Sequence, residues 1–183
     1  MDRDQALDLV RKYTDKEITY RHLISVEGVM RALAEHFGED ENRWGLVGLF
    51  HDLDYDRTQD NLERHGYQTV EWLKEEGLDD AEVLNAILGH RFDEYQTDLM
   101  SKAIVHADAV AGLLVACALV RPTKAEGMKV SSVKKKLKEK SFAPGVERDE
   151  ITQVEPSIGV PLDDFLAVSI KGLQSVATEI DLA

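Results

Sequence analysis

Apolar residues recur at three- and four-residue steps along most of the chain, the spacing of an amphipathic helix, and no stretch sustains the alternation of a strand. Between Thr19 and Phe37, the residues His22, Val26, Val29, Met30, Leu33 and Phe37 share one face, and Gly38 is placed to stop the helix. Trp44 to Leu53 is compact and mostly apolar, which predicts a buried helix carrying His51 and Asp52. A third helix is expected from about His65 to Glu76, with Val70, Trp72 and Leu73 inward and Gly77 at its end. Asp79 or Asp80 can cap a fourth, whose Val83, Leu84, Ile87 and Leu88 precede Gly89-His90.

The longest apolar stretch, Ala103 to Val120, contains His106 and Asp108. As a membrane span it would hold Asp108 in hydrocarbon at a cost of several kcal/mol, so it reads as a buried core helix, capped by Thr97 and stopped before Pro122. Ser141 to Pro161 holds three of the four prolines and predicts loop or short helix. A last helix is expected from about Pro161 to Ile180, with Leu162, Phe165, Leu166, Leu173, Val176 and Ile180 at helical spacing. The pattern gives an all-α fold, a compact multi-helix bundle: residues 1–122 form the core, and 123–183 supply a basic segment, a loop and a C-terminal helix packing on it.

A length of 183 residues suits one domain, and 43% apolar with 31% charged composition excludes a disordered or fibrous chain. The single cysteine, Cys117, rules out an intrachain disulfide and fits a reducing compartment. With no apolar segment near Met1, the expected location is cytoplasmic. A net charge of −13 disfavours nucleic acid as a partner. The charge is uneven: residues 121–140 carry a local +6 and the remainder −19. Such an island reads as a solvated helix face or flexible segment, or as a docking surface for an anionic substrate.

Three groups sit where a plain core would hold Leu or Ala: His22 on an apolar helix face, the His51-Asp52 pair after Leu46 to Phe50, and Asp108 among Ala and Val. A buried carboxylate must be paired, protonated or bound to a metal. Singly, each has a bland reading as a hydrogen-bonded core group. Together, two imidazoles and two carboxylates make a mixed N/O shell for a divalent transition metal, whose charge removes the cost of burying the acids.

This ordered set, His22, then adjacent His51-Asp52, then Asp108, resembles the HD-domain superfamily of metal-dependent phosphohydrolases. The likeness runs from about Ile18 to Leu119 and implies that these four residues are metal ligands, with Asp52 able to bridge if two ions bind. His65 and His90 match positions that in binuclear branches ligate a second metal or touch the substrate phosphate. Where many such members read His-Asp-Ile-Gly-Lys, this chain reads His51-Asp52-Leu53-Asp54-Tyr55, so the phosphate-contacting lysine is missing. The Gly-Tyr-Pro signature of cyclic-dinucleotide phosphodiesterases is also absent. Asp54 and Asp56 can serve as general base or substrate-orienting groups, or cap the helix end. Cations for a phosphate come from Arg91 or from the basic segment, with Lys124 and Lys129 as candidates. His36 and His106 match nothing.

The resemblance implies a soluble hydrolase of a phosphate ester or phosphoanhydride of a small metabolite, plausibly a nucleotide. Its cofactor would be one or two divalent ions per chain, Fe, Mn, Zn, Co or Mg, lowering the pKa of a bound water to roughly 7. Asp52, Asp54, His65 and His90 would carry the catalysis. The rival readings are a non-catalytic metal-containing module that binds a nucleotide or other anion, and a binuclear-iron oxygenase. The buried helix and the final amphipathic helix could also supply a homodimer surface.

Overall fold

The computed structural model describes all 183 residues. Its α-helices are α1 (Arg3–Tyr13), α2 (Glu17–Phe37), α3 (Glu41–Phe50), α4 (Tyr55–Thr58), α5 (Tyr67–Glu75) and α6 (Ala81–Gly89). They continue as α7 (Leu99–Leu119), α8 (Val130–Lys138), α9 (Arg148–Thr152), α10 (Val154–Ile158) and α11 (Leu162–Val176), and there is no strand. The all-α expectation holds. One hydrophobic cluster runs from Ala6 to Leu182, so residues 123–183 close the same core that 1–122 begins.

Several boundaries move for reasons of capping. Helix α3, expected from Trp44, starts at Glu41, because the Asp40 carboxylate accepts from the Asn42 and Arg43 amides. It also ends at Phe50, which leaves His51 as its C-cap and Asp52 in the turn beyond. Asp98, not Thr97, caps α7, through a reciprocal box with Ser101. Gly38 stops α2 in the left-handed conformation, as its position predicted. Three helices escaped the apolar pattern: α1, the four-residue α4 and α8. In α1 the inward side is only Ala6, Val10 and Tyr13. Within the basic island, α8 turns Val133 and Leu137 inward and its lysines outward, a solvated helix face.

The long helix α2 is the axis of the bundle, because two glycine contacts let its neighbours come close. A Cβ on Gly28 would lie 2.4 Å from the Gly172 carbonyl oxygen of α11, and one on Gly48 of α3 would lie 2.7 Å from the Glu27 backbone. Glu27 itself is fully buried, paired with Arg3 of α1 at 2.7 Å and Arg31 at 2.8 Å. Arg3 reaches on to Glu179, tying the two ends of the chain together. Helix α7 is long and apolar enough to cross a membrane by length and composition, yet most of it lies inside the core. Beside it, Arg148 donates to the carbonyls of Leu137, Glu139, Phe142, Ala143 and Val146, and so fixes the turn before α9.

Candidate metal centre

Six side chains from separate segments converge at one end of α2: His22 of α2, His51 capping α3, Asp52 in the following turn, His65 before α5, His90 capping α6, and Asp108 in α7. They form two groups whose ligand atoms lie within 4.8 Å of one another, His22 with His51 and Asp108, and Asp52 with His65 and His90. In the first, His22 Nε2 is 3.3 Å from His51 Nε2 and 3.0 Å from Asp108 Oδ1. In the second, Asp52 Oδ1 is 3.1 Å from His65 Nε2 and 3.3 Å from His90 Nε2. The other oxygen, Asp52 Oδ2, lies 3.9 Å from both His22 Nε2 and His51 Nε2. One carboxylate therefore faces both groups.

The local fold dictates which ring nitrogen points inward. A helix leaves its last carbonyls without intrahelical donors. His51 Nδ1 fills that need at Gly48 O, 2.9 Å away, and His90 Nδ1 does so at Ile87 O. His65 Nδ1 donates to Asp54 Oδ1 at 2.7 Å. With the proton on Nδ1 in each ring, the Nε2 atoms present lone pairs to the centre. The His65 and His90 Nε2 atoms are nevertheless only 3.0 Å apart. Two lone pairs at that separation repel unless a cation or an extra proton lies between them. Each group offers two imidazole nitrogens and one carboxylate, a donor set suited to a first-row divalent ion, so these residues fit a metal.

In the absence of an ion, protons take over part of that task. Burial alone would lower the His65 pKa, but bonds to Asp52 and Asp54 outweigh it and raise it to about 9. Burial works against the Asp108 carboxylate, yet His22 and His51 hold its pKa well below the usual range. The sign of the His65 shift sets a pH dependence. Its pKa rises from 6.5 unfolded to about 9 folded, so its contribution to the stability of chelator-treated protein is complete below pH 6.5 and disappears between 6.5 and 9. A metal must displace that proton, so affinity should climb over the same window. Calorimetry at pH 7.5 in buffers of different ionisation enthalpy should register proton release on metal addition, and a buffer-independent heat would contradict the assignment.

Asp54 requires a correction. It does not stand free to act on a substrate: fully buried, it accepts from His65 Nδ1, from the Gly66 and Thr69 amides at 2.8 and 3.0 Å, and from Thr58 Oγ1 at 3.4 Å. Both oxygens are occupied, so Asp54 positions His65. Gly66 makes this possible with a left-handed φ of 81°, which turns its amide to the carboxylate. Asp56 binds the Asp15 and Lys16 amides and Thr19 Oγ1, tethering the entry to α2. Lys124 donates to the Asp181 carbonyl and Lys129 sits exposed before α8, and no hydrogen bond or ion pair links either to the six residues. Arg91 is exposed, next to His90, and makes no ion pair. His36 packs on Phe37, and His106 on Phe165, outside the centre.

One residue has no sequence signal. Glu150 of α9 is half-buried, and burial together with the negative charge of Asp108 raises its pKa to about 7. The bond from His106 Nδ1 to the Glu150 carbonyl, 2.5 Å, pins α9 against α7 there. Nothing in the proline-containing segment around it marks the position.

Compared with known proteins, the chain matches the family model of the HD domain over residues 19–113, more than half of its length. No curated protein and no solved structure gives a significant match.

Proposed function

This chain belongs to the HD-domain family, and from that premise we propose that it hydrolyses a phosphate ester or phosphoanhydride of a small metabolite using two divalent ions. The observation that carries this reading is Asp52, whose two oxygens face two separate histidine-containing groups. Bound there, divalent ions supply Lewis acidity toward a phosphoryl oxygen and acidify a water to near neutrality. The nitrogen-rich donor set favours Mn, Fe, Co or Zn over Mg.

The protein's own residues divide the remaining work. Gly48, Ile87 and Asp54 hold three imidazoles in the ligating tautomer. Arg91, exposed beside His90, is the cation available to a phosphate oxygen, since Lys124 is engaged at the Asp181 carbonyl and Lys129 makes no contact with the six residues.

Elemental analysis of protein purified without chelator or affinity metal tests the reading, followed by a phosphate-ester screen that includes nucleotides. About two equivalents of a first-row ion and release of inorganic phosphate are expected. Protein that neither contains nor rebinds metal overturns it. Metal with tight nucleotide binding and no phosphate release points to the binding module, and an air-dependent visible absorption change in iron-loaded protein to an oxygenase.

A further inference from the structure

Of the six clustered residues, His22 and Asp108 are the most exposed, 28% and 34% of the side chain against 17% for Asp52 and 0% for His51. A ligand therefore reaches the centre over these two. On that side lies a cavity of about 540 Å³, with His22 forming part of its wall. Its size is that of a small-molecule site.

The walls follow from helix geometry. On α2, Ile18 stands one turn before His22. On α7, Gly112, Val115 and Leu119 continue the side that carries Asp108, and the rise from Asp108 to Leu119 is about 16 Å at 1.5 Å per residue. A third wall is the C-terminal turn, Ile180 to Leu182. It is held in place by the Arg21–Asp181 ion pair at 2.5 Å, by Lys124 Nζ on the Asp181 carbonyl at 2.8 Å, and by the Ala125 amide on Leu182 O at 3.1 Å.

The apolar part of this lining, Ile18, Val115, Leu119, Ile180 and Leu182, is entirely aliphatic. Of its polar groups, Arg21 is engaged by Glu17 and Asp181, and the Ser25 hydroxyl donates to the Arg21 carbonyl. No aromatic ring other than the His22 imidazole, itself one of the six clustered residues, lines it. A nucleobase is bound by stacking faces and edge-directed hydrogen bonds; beyond His22 this cavity has no ring to stack on, and its Glu17 and Asp181 carboxylates are paired with Arg21. Ile18 and Leu119 remain 76% and 70% exposed at its mouth, apolar area that an alkyl group would cover.

We propose that this groove binds the aliphatic part of the substrate, so that the chain acts on alkyl phosphomonoesters in preference to nucleotides. The inference rests on the phosphohydrolase reading. In the reaction, the oxygen of water bonds to phosphorus, the ester P–O bond breaks, and the alcohol leaves with a proton from that water, yielding inorganic phosphate. The cluster holds the phosphate end and the groove takes the chain.

Two series on Mn²⁺-loaded protein test it: phosphate release from methyl, butyl, hexyl and octyl phosphate, and calorimetric binding of the matching phosphonates. Both kcat/KM and phosphonate affinity should rise about fourfold per buried methylene. The exposed double substitution Ile18→Asp with Leu119→Asp should flatten both series. A flat wild-type series, with phosphate still released from methyl phosphate or a nucleoside monophosphate, overturns the groove and leaves the hydrolase standing. No phosphate from any ester, with phosphonate affinity still climbing, supports the groove and overturns the hydrolase instead. A wild-type dimer that Leu119→Asp dissociates, with a flat series, gives this face to a second copy and overturns the proposal.

Discussion

Asp52→Ala is expected to strip the protein of both ions and to abolish phosphate release while leaving its helix signal intact. The reason is geometric: Asp52 Oδ1 lies against His65 and His90, and Oδ2 faces His22 and His51, so one truncation removes a donor from each group. Loss of an outer-shell partner alone costs about ten- to a hundredfold in metal affinity, so loss of the shared ligand should exceed the upper figure. The turn that carries Asp52 is held by other residues, including the neighbouring Asp54 through its bonds to Gly66 and Thr69. Circular dichroism should therefore match wild type, while elemental analysis shows well under one ion per chain. Full metal content with full turnover in this variant would remove Asp52 from the centre. Asp54→Asn offers a graded comparison: it weakens the orientation of His65 without removing a ligand, and should cost metal affinity within the ten- to hundredfold range.

Gly28→Ala should be the most damaging small change away from the centre. Alanine is worth about 1 kcal/mol more than glycine in a helix interior, so propensity favours the variant. Packing opposes it: the new Cβ would meet the Gly172 carbonyl oxygen at 2.4 Å and Val176 Cγ2 at 2.9 Å. The first is backbone in a facing helix and cannot rotate away, so α2 and α11 must separate. Overpacking of this kind costs about 3 kcal/mol, and for a chain of this size the melting midpoint should fall by roughly 6–12 °C. Gly112→Ala is the control, because its Cβ would meet only Val146 Cγ2, at 3.6 Å, and the propensity gain should dominate. Equal midpoints for Gly28→Ala and wild type in a thermal melt would mean that the two helices do not cross at these glycines. Because His22 lies on the same helix, separation of α2 from α11 should also loosen the centre.

Much of this protein is determined by local sequence. Helical periodicity is a property of neighbouring residues, so the all-α class, the long α2 with Gly38 at its end, the buried course of α7 and the ordered set His22, His51, Asp52 and Asp108 could be read directly. Short helices with thin apolar faces, α1 and α8, were less legible, because their burial is supplied by partners distant in the chain.

Tertiary structure alone decided the division of the six residues into two groups, the orientation of the two Asp52 oxygens, and the conversion of Asp54 from a free carboxylate into the support of His65. It also brought Glu150 within electrostatic reach of Asp108 and wrapped Ile180 to Leu182 around a groove at His22. None of these has a period in the sequence. Each depends on how closely helices approach at positions such as Gly28, Gly48 and Gly172, and on turns whose path is set by hydrogen bonds to residues far along the chain.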